Sequence, residues 1–389
     1  MLFLWGDMMK VKLGDVCEIV SGTTPKSNCP EYWNGELNWI TPAELNDDIV
    51  VVNESQRKIT TKAVIDSNLR SFPAGTVLLS SRAPIGKVAI AGKEMYCNQG
   101  FKNLICSDFV YNKYLFYFLK SKVTYLNSLG RGATFKEISK TIVENIQINL
   151  PKKEEQYKIV HILDKINEII FLRQQQLKKL DELVKSRFIE MFGDTVLNPY
   201  NWKKDLLGMV CDVRDGTHDS PQYYEIGYPF VTSKNVTAGI IDLSDCSLIS
   251  EEDYNKINER SKVDIGDIIM PMIGTVGKPV IVNVEPNFAI KNVSLIKFKK
   301  ESKVLNIYIR AFLQSDYFDD AVLSKLRGGT QKFISLGDIR NLEVLMPPIE
   351  LQNEFADFVK QTDKSKLEIQ KSLDKLEILK KSLKQQYFE

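Results

Sequence analysis

The sequence is poor in histidine and has no closely spaced cysteines. It contains only two histidines in 389 residues, and none of its six cysteines forms a C-x-x-C pair. Zinc sites usually take their ligands from cysteines and histidines at short, regular spacings, so we predict no metal site. We expect the cysteines to be buried, reduced thiols, which is typical of a protein of the cytoplasm.

Long hydrophobic runs are missing as well. The apolar start of the chain, residues 1–5, gives way to Gly6 and Asp7, well short of a signal-peptide core or a membrane span. With 43% hydrophobic and 26% charged residues the composition is ordinary for a globular protein, and the length allows two or three domains. The formal net charge of +2 neither requires nor excludes a nucleic-acid partner, because phosphate binding depends on local basic patches. We expect no contact with a membrane.

Catalytic motifs are incomplete wherever they begin. The N-P-Y of residues 198–200 resembles the N-P-P-Y motif of adenine methyltransferases without its second proline, and no glycine-rich cofactor loop follows a strand. The G-T-V-G-K of residues 274–278 lacks the earlier glycine of a phosphate loop, where Met272 stands, and has Pro279 in place of serine or threonine. His218 lies in a polar turn without a duplicated counterpart. We predict no catalytic residue and no cofactor bound by this chain.

The chain does contain a long internal repeat. The segment R-G-A-T-F-K-E-I-S at residues 131–139 returns as R-G-G-T-Q-K-F-I-S at 327–335, at an offset of 196 residues. At the same offset, I-Q-I-N-L-P-K-K-E-E-Q at 146–156 returns as L-E-V-L-M-P-P-I-E-L-Q at 342–352. Blocks nearer the start of each copy match at slightly different offsets, so the loops between them have diverged. A repeat of this length indicates a duplicated domain, one scaffold with two different recognition surfaces.

A long helix is predicted behind each copy. Pro151 and the acidic residues after it suit a helix start, and apolar residues then recur at helical spacing without glycine or proline until Gly193. About forty helical residues span roughly 60 Å. The second helix opens at Pro347 and keeps a similar spacing to the last residue. We expect the two helices to pack together as a coiled coil, and the alternative, that each folds onto its own domain, stays open.

These patterns predict an α+β protein whose two halves are related by a pseudo-twofold axis. Short apolar runs between turn residues predict the strands of two similar mixed domains, residues 1–150 and 194–346. The central long helix is expected at 151–193 and the C-terminal long helix at 347–389.

The duplicated R-G-x-T-x-K segment contains the strongest candidates for binding. Its glycine allows a close approach of the backbone, and its arginine, threonine and lysine can donate hydrogen bonds to phosphates or base edges. A loop whose basic side chains meet only solvent would look the same, so this alternative stays open. With the polar residues of neighbouring turns, the predicted DNA contacts are Thr23, Lys26, Arg82, Lys87, Arg131, Thr134, Lys136, Thr217, His218, Lys234, Lys278, Arg327, Thr330 and Lys332.

Taken together, these features resemble the DNA specificity subunit of type I restriction-modification systems, over nearly the whole chain. The resemblance rests on the repeated L-G-x-x-C start at residues 13–17 and 207–211 and on the R-G-x-T…I-S segments. Its most specific part is the strand that ends in L-P-K-K-E-E-Q or M-P-P-I-E-L-Q and feeds a long helix. The family's usual form of this junction is close to P-P-L-x-E-Q. Lys152 stands in place of the second proline in the first copy, which barely affects the helix start.

The resemblance implies two target-recognition domains, each of which reads one half of a split double-stranded DNA sequence. Two antiparallel helices separate them and set the spacer between the halves. It also implies that this subunit is not an enzyme. Two methyltransferase subunits bring S-adenosylmethionine, and restriction subunits, which are motor-nucleases, bring ATP, Mg and cleavage. A fused enzyme would need catalytic motifs that the chain lacks, whereas a coiled-coil scaffold with two heads for other ligands stays open as the alternative.

The apolar stripe on each long helix is wider than a two-stranded seam requires. Part of it is expected to seal each helix against its own domain. The rest is a predicted docking surface for the methyltransferase subunits, one per repeat. The predicted docking residues are Ile162, Ile166, Ile169, Phe355, Phe358 and Val359.

Overall fold

The computed structural model of the chain describes residues 9–46, 49–132, 136–237, 239–273, 278–299, 301–321 and 333–389. Its contacts divide the chain into two units. Unit 1 comprises Met1–Arg173 together with Ser372–Glu389, and unit 2 comprises Gln174–Lys371. Each unit therefore contains part of both long helices, whereas the sequence pattern had set these helices apart as separate segments.

Unit 1 mixes short strands with short helices, and its first segment runs into the first long helix. The elements are β1 (Met9–Lys12), α1 (Leu13–Val16), β2 (Cys17–Ser21), η1 (Pro30–Tyr32), β3 (Trp33–Ile40), η2 (Pro42–Glu44), β4 (Val51–Val52), β5 (Lys58–Ile59), α2 (Thr61–Asp66), β6 (Val77–Leu79), β7 (Val88–Ala91), β8 (Tyr96–Cys97), β9 (Lys102–Cys106), α3 (Asn112–Ser121), α4 (Val123–Leu129), α5 (Lys140–Glu144), β10 (Gln147–Leu150) and α6 (Lys153–Phe192).

The strands of unit 1 form a five-stranded sheet with the order β2-β9-β6-β7-β4 and a three-stranded sheet with the order β5-β3-β8. The pair β1-β10 brings the start of the unit next to the strand that feeds α6. In the large sheet only the β4–β7 neighbours among the described strands run parallel. The aromatic helix α3 completes the core against this sheet, with Tyr114 and Phe118 buried.

Unit 2 contains the last part of α6 and a second set of elements. These are β11 (Lys204–Leu206), α7 (Leu207–Val210), β12 (Asp212–Asp215), β13 (Tyr228–Val231), η3 (Ser233–Asn235), β14 (Val236–Thr237), β15 (Ile240–Ile241), β16 (Ser247–Ile249), α8 (Glu251–Ser261), β17 (Ile268–Pro271), β18 (Val280–Ile281), β19 (Ala289–Ile290), β20 (Val293–Lys297), α9 (Asn306–Phe312), α10 (Asp316–Ala321), α11 (Leu336–Arg340), β21 (Glu343–Leu345) and α12 (Ile349–Phe388).

The sheets of unit 2 repeat those of unit 1. The order β12-β20-β17-β18 corresponds to β2-β9-β6-β7, and β16-β13-β19 corresponds to β5-β3-β8. Even the strand directions agree, because β13 is antiparallel to β16 and parallel to β19 just as β3 is to β5 and β8. The pair β11-β21 repeats β1-β10. The predicted α+β class and the duplication are confirmed.

A glycine that the two copies share is required by the close approach of two backbone segments. A Cβ atom on Gly22 would lie 2.2 Å from the carbonyl oxygen of Cys97, and one on Gly216 would lie 2.4 Å from that of Ile290. Real Cβ atoms do not come this close to a backbone oxygen. Gly22-Thr23 and Gly216-Thr217, one G-T in each copy, therefore mark the same backbone crossing in both units.

In unit 2 the two long helices run antiparallel. Asp181 of α6 forms an ion pair of 2.6 Å with Lys366 of α12. Farther along α6, Phe188 packs on Phe355, with ring centroids 5.5 Å apart. From the Asp181–Lys366 pair to the Phe188–Phe355 pair, residue numbers increase in α6 and decrease in α12, so the two helices run in opposite directions. The prediction that the two helices pack against each other is confirmed.

The last aromatic residue of each long helix packs in the same way. Phe192, at the end of α6, has its ring centroid 4.9 Å from that of Tyr308 in α9. Phe388, at the end of α12, has its ring centroid 5.3 Å from that of Tyr114 in α3. Both phenylalanines are buried. The core of unit 2 is therefore completed by the end of α6, and the core of unit 1 by the end of α12.

A buried glutamine fastens the start of each long helix to its unit. Gln156 Oε1 accepts a hydrogen bond of 2.7 Å from the backbone N–H of Tyr111, and Nε2 donates to the carbonyls of Phe109 and Pro151, both at 2.9 Å. Gln156 is the last residue of the repeated segment that leads into the long helix. Its repetition in the second copy did not by itself indicate these hydrogen bonds. In unit 2 Gln352 makes the same three bonds, to Leu305, Lys303 and Pro347.

Candidate nucleic-acid interface

Several connections of unit 1 meet at one end of its large sheet. The segment after β2 is fixed there because the N–H of Thr23 donates to the carbonyl of Cys97 at 3.0 Å. The β6–β7 turn joins the turn before β9 through a bond of 2.7 Å from the N–H of Ser81 to Gly100. The segment that carries R-G-x-T joins them through a bond of 3.0 Å from Ile138 to Ser81. The predicted contact residues of unit 1 thus lie on connections at a common edge.

The residues on either side of the R-G-x-T segment of unit 1 meet each other. Arg131 and Glu137 exchange two backbone hydrogen bonds, each 3.0 Å long, and Arg82 forms a β-bridge to Glu137 from the other side. The side chains of Arg131 and Lys136 are exposed, and that of Arg82 is half-buried. Thr134 lies outside the described residues. The structure therefore brings two of the predicted arginines to the same loop base.

A buried lysine that the sequence reading missed lies beneath this loop. Lys102 is 7% exposed, and its Nζ donates to Glu137 Oε1 at 3.1 Å and to Ser81 Oγ at 3.3 Å. The guanidinium of Arg82 lies 3.7 Å from the other carboxylate oxygen of Glu137. The sequence signal that could have revealed Lys102 is its position at the start of a strand, directly before residues that are buried. The loop base is therefore held by ion pairs as well as by the backbone.

Lys87 makes an internal bond in this structure. Its Nζ donates to the carbonyl of Pro42 at 2.9 Å, and the residue is half-buried. This bond ties the β6–β7 turn to η2. The prediction that Lys87 contacts DNA therefore requires its side chain to give up a hydrogen bond that it makes here.

Two tryptophans support the segment that carries Thr23 and Lys26. Trp39 Nε1 donates to the carbonyl of Thr23 at 3.1 Å, and Trp33 Nε1 donates to that of Lys26 at 3.3 Å. The two indole rings meet edge to face, and the guanidinium of Arg57 lies 3.8 Å from the centre of the Trp33 ring. The side chains of Thr23 and Lys26 are exposed. The backbone is thus held in place while both side chains face solvent.

His218 of unit 2 is oriented by its neighbours. Its Nδ1 lies 2.8 Å from Asn292 Oδ1, and its Nε2 lies 3.1 Å from Asp215 Oδ2. The Asp215 carboxylate, only 9% exposed, also pairs with Arg260. The His218 side chain itself is 64% exposed. Because both ring nitrogens have partners, the imidazole presents one defined edge to solvent, next to the predicted contact Thr217.

The remaining predicted contacts of unit 2 are less constrained. Lys234 and Lys278 are exposed, and Lys234 lies 4.0 Å from the solvated carboxylate of Asp245. Phe333 forms a β-bridge with Ile273, at the position that Glu137 and Arg82 occupy in unit 1, and both of these apolar side chains are exposed. The predicted contacts that lie outside the described residues are Arg327, Thr330 and Lys332.

Ion pairs in unit 2 hold several carboxylates at the opposite end of β20. Lys297 donates to Asp264 at 2.7 Å and to Asp267 at 2.6 Å. The Lys297 ammonium lowers the pKa of Asp264, whereas burial raises the pKa of Asp267 in spite of the same lysine. On the neighbouring strand, hydrogen bonds from Arg214 lower the pKa of Asp212.

The predicted docking residues divide into buried and exposed ones. Phe355 and Val359 are 0% and 1% exposed and form part of the core of unit 2, and Ile166 is 6% exposed. Because these three residues are buried, they offer no free surface to a partner in this structure. The prediction therefore rests on Ile162 and Ile169, which are 39% and 41% exposed. Phe358 is half-buried at the edge of the same core, beneath the guanidinium of Arg187.

Within the part of the chain that the structure describes, no group of three or more histidine, cysteine or acidic side chains is arranged to hold a metal ion. No described helix is both long and apolar enough to cross a membrane. All six cysteines are free thiols. Burial raises the pKa of Cys97 and of Cys211 to about 12, so both thiols stay protonated near neutral pH.

Comparison with protein families identifies this arrangement. The family model described as the type I restriction modification DNA specificity domain matches the chain twice, over residues 6–182 and 199–379. The chain belongs to this family. The two matches coincide with the two copies of the internal repeat, so each unit supplies most of one specificity domain.

Two curated specificity subunits from Methanocaldococcus jannaschii match almost the full chain. The specificity subunit of the type I restriction enzyme MjaIX is 33% identical, and the match covers 91% of this chain and 85% of the relative. The specificity subunit of MjaVIII is 26% identical, with 95% and 91% covered. The resemblance of the sequence to the specificity subunits is therefore confirmed.

Two solved structures from type I restriction-modification systems have a fold similar to that of this chain. The S subunit of a type I restriction-modification system from M. genitalium matches with a TM-score of 0.56 at 15% identity, over 100% of this chain and 98% of that one. A chain from a structure titled as the basis of complex assembly and conformational transition of the type I R-M system matches with a TM-score of 0.65 at 19% identity, over 100% and 99%. At these identities the likeness concerns the fold alone.

Proposed function

We propose that this chain is the non-catalytic subunit that gives a type I restriction-modification complex its DNA sequence specificity. The observation that carries this proposal is the double family match on two units with the same sheet order and different connecting loops. Residues 1–150 and 194–346 are the two recognition domains. Each reads one half of a bipartite double-stranded target with the loops at the end of its large sheet.

The exposed basic residues on these loops suit contacts with DNA. Arginine and lysine neutralise phosphates whatever the sequence, and arginine can also pair with guanine in the major groove. Arg131, Lys136 and Lys26 are exposed on unit 1, and Lys234 and Lys278 on unit 2. These loops differ between the two units, whereas the sheets that carry them have the same order. The two units therefore read different bases.

The partners follow from the family. Two methyltransferase subunits supply S-adenosylmethionine and the chemistry on adenine, and restriction subunits supply ATP, Mg and cleavage. The complex works in the cytoplasm. The long helices α6 and α12 set the spacer between the half-sites and dock one methyltransferase subunit per repeat through Ile162, Ile169 and their surroundings.

Domain exchange tests the two-reader proposal. Residues 1–150 are replaced by the first recognition domain of another family member, the chain is co-expressed with its methyltransferase subunits, and methylated adenines are mapped across the host genome. We expect one half of the target to change and the other half to stay. The reciprocal exchange of residues 194–346 is the matched control and should change only the other half. Changes in both halves from one exchange would contradict the proposal, and a host without new site-specific methylation would favour heads that bind another ligand.

A second experiment tests the spacer. Four residues inserted after Gln174 lengthen α6 by about 6 Å, close to two base-pair steps. We expect a target with a longer gap and unaltered half-sites. The control replaces four exposed residues of α6 without changing its length, which should leave the gap unchanged. A changed half-site with an unchanged gap would refute the role of the helix.

Single substitutions test the loop of unit 1. Arg131→Ala should weaken binding of the methyltransferase complex to duplex DNA by about 1–3 kcal/mol if Arg131 reads a base. Lys136→Ala should reduce the salt dependence without a change in sequence preference if Lys136 contacts a phosphate. Lys10→Ala, which removes an exposed lysine of β1, is the control of equal charge. Wild-type binding by both loop variants would assign these side chains to solvent.

A further inference from the structure

We propose that Lys102 and Glu137 are positioning residues that determine how unit 1 reads its half-site. The inference rests on the proposed function and names two residues that do not themselves need to touch DNA. Their ion pair fixes the base of the loop between Arg131 and Glu137 against the β6–β7 turn. The exposed basic side chains of that loop are thereby presented in one arrangement.

Glu137 connects the loop to the sheet in two ways. Its backbone closes the loop through the two 3.0 Å bonds with Arg131. Its carboxylate accepts from Lys102 at 3.1 Å and lies 3.7 Å from Arg82. Glu137 therefore joins the backbone of Arg131 to the side chains of Lys102 and Arg82. Because Lys102 is almost fully buried in the sheet, it provides a fixed point for this carboxylate.

The second unit shows that the fold does not need these charges. Ser294 occupies the position of Lys102, since it stands opposite Asp215 in the β12–β20 register as Lys102 stands opposite Ser21 in β2–β9. Phe333 and Ile273 form the bridge that Glu137 and Arg82 form in unit 1.

The same backbone junction closes in both units. The N–H of Ile334 donates to Met272 at 2.9 Å, as that of Ile138 donates to Ser81 at 3.0 Å. A buried lysine is costly unless it is paired, and apolar or neutral side chains serve this junction equally well in unit 2. The charged set of unit 1 is therefore explained by the loop surface that it organises rather than by the fold.

The pair also controls the charge next to the loop. With Lys102 present, the carboxylate of Glu137 shares two cations and leaves the exposed Arg131 free of a competing anion. Without Lys102, the carboxylate would draw Arg82 or Arg131 towards itself and would repel the phosphates of a bound duplex. The consequence is confined to the half-site that unit 1 reads.

The test uses the complex with its methyltransferase subunits and duplexes that carry single base changes in either half of the mapped target. The variant Lys102→Met/Glu137→Gln removes both charges and keeps the side-chain shapes. We expect discrimination at the half-site of unit 1 to fall by about 5- to 150-fold, the range for the loss of one good base contact. Discrimination at the other half-site should stay within twofold of wild type, about 0.4 kcal/mol.

The control removes a comparable ion pair from unit 2. Lys297→Met/Asp267→Asn eliminates a largely buried pair at the end of β20 away from the loops, so both half-sites should be read as in wild type. Lys102→Met alone leaves the more exposed carboxylate of Glu137 next to Arg82 and is the milder variant should the double variant not assemble. A folded Lys102→Met complex should also lose discrimination at the first half-site.

The outcomes separate the two proposals. If the wild-type complex binds duplexes without sequence preference, the proposed function fails. If the wild-type complex reads both half-sites and either variant of the pair reads the first one unchanged, the positioning role of the pair is overturned. Equal losses at both half-sites would also overturn it, because they would indicate a general effect on the subunit.

Discussion

Replacing Gln156 with leucine should loosen the junction between α3 and α6. The side chain is 0% exposed and makes three hydrogen bonds, from the N–H of Tyr111 and to the carbonyls of Phe109 and Pro151. Leucine has a similar volume and offers no donor or acceptor. The substitution therefore removes the bonds while filling the space, so the effect of a cavity does not confuse the result.

The magnitude follows from the groups left behind. An N–H that loses its partner in a protein interior costs about 1–3 kcal/mol, and each of the two bonds to carbonyls contributes about 0.5–1.5 kcal/mol. We expect the free energy of unfolding of unit 1 to fall by about 2–6 kcal/mol. A loss of this size is a large part of the 5–15 kcal/mol by which domains are usually stable.

Hydrogen exchange followed by mass spectrometry localises the effect. Peptides that contain the N–H of Tyr111 should exchange faster in Gln156→Leu, while peptides around Leu305 in unit 2 keep their protection. Gln352→Leu should give the mirror-image result, because Gln352 makes the same bonds in unit 2. Gln175→Leu, at an exposed position of α6, is the control and should change the stability by less than about 0.5 kcal/mol.

Urea unfolding gives the total for unit 1. The fluorescence of Trp33 and Trp39 reports on this unit, and Trp39 is buried in it. An unchanged unfolding midpoint in Gln156→Leu, together with wild-type exchange near Tyr111, would refute the reasoning. It would mean that the three bonds are replaced by water at no cost.

Three further predictions concern the core, the docking surface and the stability at acid pH. Phe388→Ala should lower the free energy of unfolding of unit 1 by about 3–5 kcal/mol in urea, and a smaller loss than 1 kcal/mol would contradict its place in the core. Glutamate at Ile162 and Ile169 should reduce co-purification with methyltransferase subunits while circular dichroism stays native, and full recovery of the complex would remove these residues from the interface. Arg214 lowers the pKa of Asp212, so their pair stabilises the fold above the ordinary carboxyl pKa and is lost as pH falls through the lowered value. Asp212→Asn should therefore make the urea midpoint less sensitive to pH below about pH 4. A variant whose urea midpoint depends on pH in this range as the wild type does would argue against this role of the pair.

Much of the architecture could be predicted from local patterns. The repeated blocks, the proline and acidic residues before each long helix and the uninterrupted helical spacing depend on neighbours in sequence, so they indicated two α+β units and two long helices. The G-T of residues 22–23 and 216–217 is also a repeated local pattern, but its cause is not local, because Gly22 and Gly216 each stand where a distant backbone segment passes too closely for a side chain.

Contacts between distant residues left no such pattern. Lys102 and Glu137 are far apart in sequence, and nothing in the spacing shows that they meet. A helical stripe looks the same whether its own domain or a partner covers it, so Phe355 and Val359 were predicted to be docking residues although they are core residues. The role of Gln156 required knowledge of which backbone groups end beside the helix start.

The division of the chain into units also sets the order in which the two cores are completed during synthesis. Unit 2 is one continuous stretch, Gln174–Lys371, whereas the core of unit 1 includes Phe388. At a synthesis rate of about 5–20 residues per second, residues 9–150 wait roughly 10–50 s for the last turns of α12. During that interval the aromatic surface around Tyr114 lacks its cover. The part of the chain that is made first is therefore completed last, and until then it needs protection from aggregation on the ribosome.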